Sequence, residues 1–590
     1  MNSFSQPFPT HSHVNSTQPL TLFTIPKPFY HTIATIQNNA IQSWKHLHPQ
    51  PEILLFGDES GTAELTQNLH LRHIPYIQRN ATGTPLLNHI FTQAHQLATH
   101  PILAYINADI ILLDDFLPTI QQIAAQYPKF LLLGRRWNLD ITTPIDFSNP
   151  HWQQHLRHQR HQQGILYNVY GIDYFVFPKP LFSQIPEFAV GRGGWDNWMV
   201  ATALNQGYPV IDASWQITAI HHNHGYSHLP GGKQEAYYGS EAQQNFHSGQ
   251  MTDTFKTTAD ATHYLIPATS EPTPTISLIL PTQNTTPNLN HLQQQTNSDW
   301  ELLLVDTNPS PQHPPETNLP IRHLHHPQHT FTAACNQGLE SARGELVLFL
   351  TPETQLFPHT IEQLVNCFQS RAASLEFAVS NWQIATETTT TATNPQKILW
   401  SRLNEWERWQ SIHIWMLPHI WHTFHLSAVT FRRQWLQFCG GFHPQLPPQA
   451  AIIDLILYSL LRGAVGTCLA SPNYQISRQP TPNNLQTATE AEQLLQYFFQ
   501  RENLPTWVQH FRNRAYYNTY LWLAWLFHRD GFHQKCQHYL HLANQTMPNS
   551  SKNHTWHWLQ TLPCHTHNDW DATNISPEFQ QLVTRTLNLS

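Results

Sequence analysis

Cysteine, basic residues and long apolar runs are all scarce in this chain of 590 residues. The six cysteines lie far apart and form no Cys-x-x-Cys pair, which indicates a reducing compartment and excludes a disulfide scaffold or a zinc cluster. Lysine and arginine total only 30, and the net charge is −8, so a general nucleic-acid binder is excluded. The 40% hydrophobic content is nevertheless ample for globular packing.

Targeting and membrane segments are not expected either. The first 19 residues lack a basic region followed by an apolar one, so they do not resemble a secretory signal. The most apolar stretch, residues 450–470, is interrupted by Asp454 and Arg462 and predicts a buried helix. We therefore expect a cytoplasmic protein without a transmembrane segment, and leave peripheral contact with a membrane open.

Short apolar runs alternate with helical patterns in two parts of the chain, which predicts two α/β domains with mostly parallel sheets. We expect a disordered tail at 1–19, a first domain at 20–255, a linker rich in Thr, Pro and Ser at 256–275, a second domain at 276–482 and a helical region at 483–590. Within the last region, residues 514–548 resemble one tetratricopeptide-type hairpin. A single such unit cannot bury its own face, so it should dock on the second domain, and a protein partner is a further option.

Two acidic motifs stand out in the first predicted domain. Asn107-Ala108-Asp109 interrupts an apolar strand-like run, and a glycine-rich turn at 191–194 leads through Asp196 into a helical pattern. Ligands of such sheets bind beyond the carboxyl ends of the strands, where Asp109 is expected. Each motif also has a purely structural interpretation, because Asn and Asp cap strand exits and Asp is a common helix N-cap. Asp58, which ends another predicted strand, is explained equally well by a turn.

In this order, these motifs resemble those of glycosyltransferases. Residues 20–250 resemble a GT-A-fold glycosyltransferase, and residues 276–480 resemble a family-2 glycosyltransferase domain. The resemblance implies an α/β fold class, with two GT-A-like domains in tandem followed by a small all-α region. It also implies a D-x-D-type motif that holds Mn²⁺ or Mg²⁺ on the diphosphate of a sugar nucleotide.

The resemblance assigns roles to residues of the first domain. Asp109 would bind the metal, with Asn107 in place of the motif's first acid, and Asp196 would be the general base. A histidine after the last core strand, His221 or His224, would be a further metal ligand, although chance clustering competes in a chain with 41 histidines, and His222 and His228 lie nearby. The implied donor-binding residues are Thr24, Lys27, Asp58, Asn107 and Asp109; the implied acceptor-binding residues are Asp173, Tyr174, Trp195 and Trp198; Arg135 and Arg136 are expected to face the same cleft.

The second domain keeps the family's framework but not its chemistry. The segments ISLILPTQN, DWELLLVD, SAVTFRR and GGFHPQL match family landmarks, and Asp306 is retained. Thr307 replaces the acid that often follows, and the D-x-D place reads Thr351-Pro352-Glu353. Ala451-Ile452 stands where a Glu-Asp pair is expected, and neither residue can accept a proton. We therefore predict a non-catalytic or strongly altered transferase domain with a vestigial site formed by Asp306, Glu353 and Asp454.

Three functions fit these patterns. The leading one is a metal-dependent, inverting hexosyltransferase that moves a sugar from a nucleotide diphosphate sugar to a hydroxyl of a glycan or lipid-linked acceptor, with its chemistry in the first domain. The second is a non-catalytic scaffold that binds glycans or nucleotides, which Asn107 and the losses in the second domain favour. The third is a retaining transferase or a nucleotidyltransferase on the same fold, in which Asp196 would serve the donor.

Overall fold

The computed structural model describes residues 20–225, 231–250, 255–265, 273–283, 287–310, 318–327, 329–370, 375–385, 390–393, 414, 417–421, 424–477, 484–546, 555 and 575–588. These residues fall into two compact units, and the division lies between Pro272 and Thr273. Among them, no helix combines the length and the apolar character that crossing a membrane requires.

The first unit is a mixed α/β structure. Its strands are β1 (Leu20–Thr24), β2 (Glu52–Phe56), β3 (Arg72–Ile74), β4 (Ile102–Ile106), β5 (Ile110–Leu112), β6 (Leu131–Arg135), β7 (Trp137–Asn138), β8 (Ile165–Leu166), β9 (Ile172–Pro178), β10 (Val210–Asp212), β11 (Ala219–His221) and β12 (His263–Tyr264). Its helices are α1 (His31–Lys45), α2 (Thr62–Leu69), α3 (Leu87–Leu97), α4 (Phe116–Gln126), α5 (Trp152–Gln163), α6 (Trp195–Asn205), α7 (Gly232–Tyr238) and α8 (Ser240–Ser248).

Eight of these strands form the main sheet, in the order β12-β10-β6-β9-β4-β1-β2-β3. All neighbours are parallel except β9, which runs antiparallel to both β4 and β6. The amino-terminal end of β9 therefore lies beside the carboxyl-terminal end of β4, with Tyr174 opposite Ile106. A second sheet, β5-β11-β7-β8, pairs His221 with Ile110. The two sheets thus bring Asp173 and His221 to the turn that carries Asp109.

The start of the predicted linker belongs to the first unit instead. Thr257 and Asp260 cap each other reciprocally around a short 3₁₀ turn, and β12 then pairs in parallel with β10. The backbone amides of Thr262 and Leu265 donate to Val210 and Asp212 at 2.8 Å each. The Thr-rich composition was a poor guide here because threonine supports caps and strands as well as linkers.

The second unit is also α/β, which confirms the predicted fold class. Its strands are β13 (Ile276–Thr282), β14 (Trp300–Asp306), β15 (Ile321–His325), β16 (Leu346–Phe349), β17 (Thr354–Leu356), β18 (Phe377–Ala385), β19 (Thr390–Thr393), β20 (Val429–Arg432) and β21 (Gly466–Ser477). They pair in the order β15-β14-β13-β16-β20-β18-β21-β17, with β19 beside β18. Helices α9 (Asn290–Gln293), α10 (Phe331–Ser341), α11 (Thr360–Ser370), α12 (Leu417–Ile420), α13 (Arg433–Cys439) and α14 (Pro448–Leu461) accompany this sheet.

The described residues after the second sheet are helical, as the sequence predicts. They form α15 (Asn484–Gln500), α16 (Thr506–Gln509), α17 (Arg512–Arg529), α18 (His533–Thr546) and α19 (Pro577–Thr586). Helices α17 and α18 pack as a hairpin, and Gly531 between them adopts a φ of 80°, which favours glycine. Helix α15 packs against α14, so this region docks on the second domain as expected.

Candidate active site

The Asn107–Asp109 turn lies where β4 ends and β5 begins. The backbone amide of Asn107 donates to the carbonyl of Asp173 at 2.9 Å, and that of Ile110 donates to the carbonyl of Asn107 at 3.1 Å. These bonds fix the turn between the two sheets. Asp109 therefore projects at the carboxyl end of the parallel strands, as the sequence predicts.

Asp109, His221 and His224 form a cluster whose ligand atoms all lie within 4.8 Å of one another. Nε2 of His224 is 2.9 Å from Oδ2 of Asp109. Oδ1 of Asp109 and Nδ1 of His221 are buried and have no hydrogen-bond partner among the described residues. Buried polar atoms are normally paired, so two orphans in one cluster fit a cation that would accept both lone pairs. One carboxylate and two imidazoles suit Mn²⁺ or a related divalent ion.

Nearby charges and burial shift the pKa values of two residues in this cluster, Asp109 and His221. Burial alone would raise the pKa of Asp109, but the hydrogen bond from His224 and the charge of Lys27 hold it well below its usual range. Burial and the nearby charge of Arg136 lower the pKa of His221 to about 4. At neutral pH the cluster thus offers an ionised carboxylate and, at His221, a neutral imidazole, which are the ligand forms that a metal requires.

The basic side chain of Lys27 lies beside this cluster. Its Nζ is 3.7 Å from Oδ2 of Asp109 and 3.4 Å from Nε2 of His224. The side-chain amide of Gln37 accepts from the backbone amide of Lys27 at 2.6 Å and donates to its carbonyl at 2.8 Å. Gln37 belongs to helix α1 and is only 2% exposed. This pair of hydrogen bonds therefore holds the backbone of Lys27 against that helix.

Asp173 forms a second, separate charge system at the same edge. It pairs with Arg136, and the side-chain amide of Asn107 donates to its Oδ1 at 2.7 Å. Arg136 also stacks on the ring of Tyr167, 4.3 Å from the centroid. Asn107 thus supports Asp173, a contact that the sequence interpretation did not include. An aspartate at this position could not donate that hydrogen bond.

Asp196 lies in the first turn of α6. The helix begins after Gly194, whose φ of 104° strongly favours glycine. The structure therefore excludes the N-cap interpretation of Asp196, whose Oδ1 instead accepts from the amide of Asn197 at 2.9 Å. Burial and the negative charge of Asp173 raise the pKa of Asp196 to about 6. Such a carboxyl group is ionised at neutral pH and basic enough to accept a proton.

Helix α8 holds the turn that precedes Asp196. Glu241 accepts from Arg192 at 2.6 Å, and also from the side chains of Asn80 and Thr82 at 2.7 Å each. One turn later, the buried side chain of Asn245 binds the backbone of Ala189 through its amide and its carbonyl. Two side chains of α8, Glu241 and Asn245, therefore hold the loop that contains the glycine-rich turn.

Four predicted cleft residues are in fact core or support residues. Trp195 packs edge-on against Tyr105 and also contacts Phe175, with ring centroids 5.3 and 5.4 Å apart. Trp198 is partly buried and packs against Phe182 and Phe188. Tyr174 and Arg135 are fully buried. Successive strand residues point to opposite faces, so their neighbours Asp173 and Arg136 lie on the other face, where they pair with each other.

The remaining predicted residues of the first unit differ in their surroundings. Thr24 ends β1 and its buried hydroxyl has no partner among the described residues. Asp58 is exposed and bonds to Arg79 at 2.7 Å, which lowers its pKa. Nδ1 of His222 accepts from the amide of Ile141, so this ring supports the backbone, and His228 lies outside the described residues.

The acids of the second unit are satisfied or exposed. Asp454 is 1% exposed and pairs with Arg501 through two bonds of 2.7 and 2.5 Å. Asp306 is equally buried and accepts from the backbone amide and the side chain of Asn308. Glu353 is exposed in the turn before β17. Among the described residues, none of the three joins a metal-binding group like that around Asp109.

Both units are α/β, and each has an acid at the carboxyl end of a strand, with Asp109 after β4 and Asp306 at the end of β14. Residues 277–437 match the model of the family described as glycosyl transferase family 2, which confirms the resemblance predicted for the second domain. The matched residues lie within the second unit.

Solved structures give further similarities in fold. TarS of S. aureus, residues 1–349 with UDP-GlcNAc, is 15% identical over 47% of this chain and 83% of its own, with a TM-score of 0.35. The mannosyltransferase PcManGT from Pyrobaculum calidifontis, solved with GDP-Man and Mn²⁺, is 15% identical over 54% of this chain and 85% of its own, with a TM-score of 0.31. Among curated proteins, none matches the chain.

Proposed function

We propose that this protein is a metal-dependent, inverting glycosyltransferase whose chemistry lies in the first unit. The carrying observation is the cluster of Asp109, His221 and His224, which leaves two buried polar atoms unpaired at the carboxyl ends of the strands. A divalent ion held there would neutralise the charge that builds on the departing nucleoside diphosphate. The sugar donor is a nucleotide diphosphate sugar, and the acceptor is a hydroxyl of a glycan or a lipid-linked sugar.

Each charged side chain then has a defined task. Asp109 and the two histidines hold the ion, and Lys27 binds the diphosphate. Asp196 accepts the proton of the acceptor hydroxyl while that oxygen attacks the sugar carbon from the opposite face. Asp173 pairs with Arg136, and burial together with the negative charge of Asp173 raises the pKa of Asp196. Trp195, Trp198 and Tyr174 are not part of this proposal, because each packs against side chains of the core.

The second unit is proposed to be inactive as a transferase. Its family match covers the framework, whereas Asp454 is held in an ion pair and Ala451-Ile452 offers no base. A binding or scaffolding role for the whole chain remains the alternative, which the single acid of the first unit's motif favours. The transferase proposal requires a metal-dependent nucleotide site in the first unit, whereas the scaffold proposal does not.

Calorimetry on the full chain separates these proposals. UDP, GDP and dTDP are titrated with and without Mn²⁺ into the wild type, Asp109→Asn and the matched second-unit variant Asp306→Asn. Metal-dependent binding that is lost in Asp109→Asn and kept in Asp306→Asn supports a donor site in the first unit. Binding that is lost in Asp306→Asn instead would contradict it, and a wild type that binds no nucleotide favours a scaffold.

A further inference from the structure

The single carboxylate of the metal cluster, Asp109, lies close to Lys27 and would also bind the metal. In a D-x-D motif with two acids, one acid can bind a metal while the other pairs with a basic side chain. Here the first acid is replaced by Asn107, whose side-chain amide donates a hydrogen bond to Asp173. Asp109 is therefore the one acid of the cluster, and Lys27 already lies 3.7 Å from the same Oδ2 that contacts His224. A divalent cation at this carboxylate would lie close to a positive ammonium group.

The position of Lys27 is built into the fold. Gln37 binds both the amide and the carbonyl of its backbone, and Gln37 itself is buried. The ammonium group of Lys27 also lies 3.4 Å from Nε2 of His224, a second member of the cluster. The Lys27 side chain is 36% exposed, so it has room to bind a ligand that enters from solvent. A surface lysine with no such anchoring would give no reason to expect a fixed charge here.

We infer that Lys27 opposes binding of the metal alone and couples the metal to the diphosphate. This inference rests on the proposed function of the same site. Like charges close together in a partly buried site repel each other strongly, so the ammonium group weakens the affinity of the cluster for a free divalent ion. A diphosphate carries enough negative charge to attract both cations at once, and its binding removes that penalty. The metal and the nucleotide should therefore each strengthen the binding of the other by the same factor.

The test measures Mn²⁺ binding to the full chain by electron paramagnetic resonance of the free ion, with no nucleotide present. In Lys27→Met, the affinity for Mn²⁺ alone should rise about tenfold, because the opposing charge is gone. Affinity for the nucleoside diphosphate that the wild type binds, among UDP, GDP and dTDP, should fall about tenfold in the same variant. The opposite signs distinguish this inference from general damage to the site, which would weaken both.

Two further variants make the result specific. Lys27→Arg keeps the charge and should bind Mn²⁺ alone as weakly as the wild type. Lys129→Met removes a charge before the amino-terminal end of β6, whereas Asp109 follows the carboxyl-terminal end of β4, and this variant should change neither affinity. The inference is overturned if Lys27→Met binds Mn²⁺ no tighter than the wild type while Asp109→Asn abolishes that binding. If the wild type binds neither Mn²⁺ nor a nucleotide, the proposed function fails and the inference with it.

Discussion

Both units contain acids that the sequence predicts for a site, but the surroundings of these acids differ between the two units. In the first unit, Asp109 keeps an unpaired oxygen, and Asp196 has a pKa raised to about 6. In the second, Asp454 is neutralised by Arg501, and Asp306 is bonded to Asn308. Unpaired buried polar atoms and perturbed acids are typical of functional sites, whereas satisfied ones stabilise a fold. The family match thus lies in the unit whose predicted acids are satisfied or exposed, whereas the candidate metal cluster lies in the other unit.

The largest expected effect comes from removing the proposed base. Asp196→Asn should lower the rate of donor hydrolysis by about 1,000-fold, because an amide cannot accept the proton of the attacking hydroxyl or water. Release of the nucleoside diphosphate reports this rate without a known acceptor. Nucleotide affinity should stay unchanged, since the proposed binding residues are intact. A variant that loses binding and rate together would indicate a structural role for Asp196.

The same residue sets a pH dependence. Asp196 must be ionised to act as a base, so the wild-type rate should fall as the pH drops through the pKa of about 6. The rate should approach a plateau above neutral pH, where the carboxylate is fully ionised. The residual rate of Asp196→Asn should lack this step. A wild-type profile that is flat between pH 5 and 7 would remove the electrostatic argument for this base.

In the second unit, breaking an acid's partnership should affect stability and not chemistry. Asp454→Asn leaves the buried end of Arg501 without its carboxylate and should lower the free energy of unfolding by about 3 kcal/mol. Denaturant unfolding of the full chain measures this loss. Arg529→Gln is a suitable control, because the pair of Arg529 with Asp530 is more exposed and should contribute less than about 1 kcal/mol. Nucleotide binding by the chain should be unaffected in both variants.

The comparison can also be sharpened by restoring an acid that the sequence lacks. Asn107→Asp completes a D-x-D-type motif on paper, yet we expect donor hydrolysis to fall about tenfold. The new carboxylate would lose the 2.7 Å bond to Asp173 and bring two negative charges together. Asn107→Ala loses the bond without adding charge and should have a smaller effect. A gain of Mn²⁺ affinity and hydrolysis rate in Asn107→Asp would contradict this expectation, because the hydrogen bond from Asn107 to Asp173 would then not be needed.

Much of the fold could be predicted from the sequence because strand-length apolar runs and helical patterns alternate clearly. The run from Ile102 to Ile110 was predicted as a strand, and the structure has β4 and β5 on either side of the Asn107 turn. The burial of Tyr174 was also predictable, since Asp173 and Tyr174 must point to opposite faces of one strand. That alternation was a signal that the sequence interpretation missed.

The contacts that define the candidate site could not be predicted in the same way. Lys27 meets Asp109 only because β1 pairs with β4, and Asp173 meets Asn107 only because β9 runs antiparallel. Arg501 reaches Asp454 from a helical region outside the family's framework. Such pairings depend on strand order and docking, which local propensity does not encode. The site roles themselves stay predictions.

The smallest effect is expected from loosening the turn that carries Asp196. Glu241→Gln removes the charge that pairs with Arg192 and weakens the bonds to Asn80 and Thr82. Because Asn245 still holds the same turn, the rate should fall only about threefold, with nucleotide affinity unchanged. Hydrogen exchange at Gly191–Gly194 should become faster, which a direct chemical role for Glu241 would not require. Glu187→Gln, an exposed acid shortly before this turn, should change neither quantity, and equal effects in both variants would contradict this holding role of Glu241.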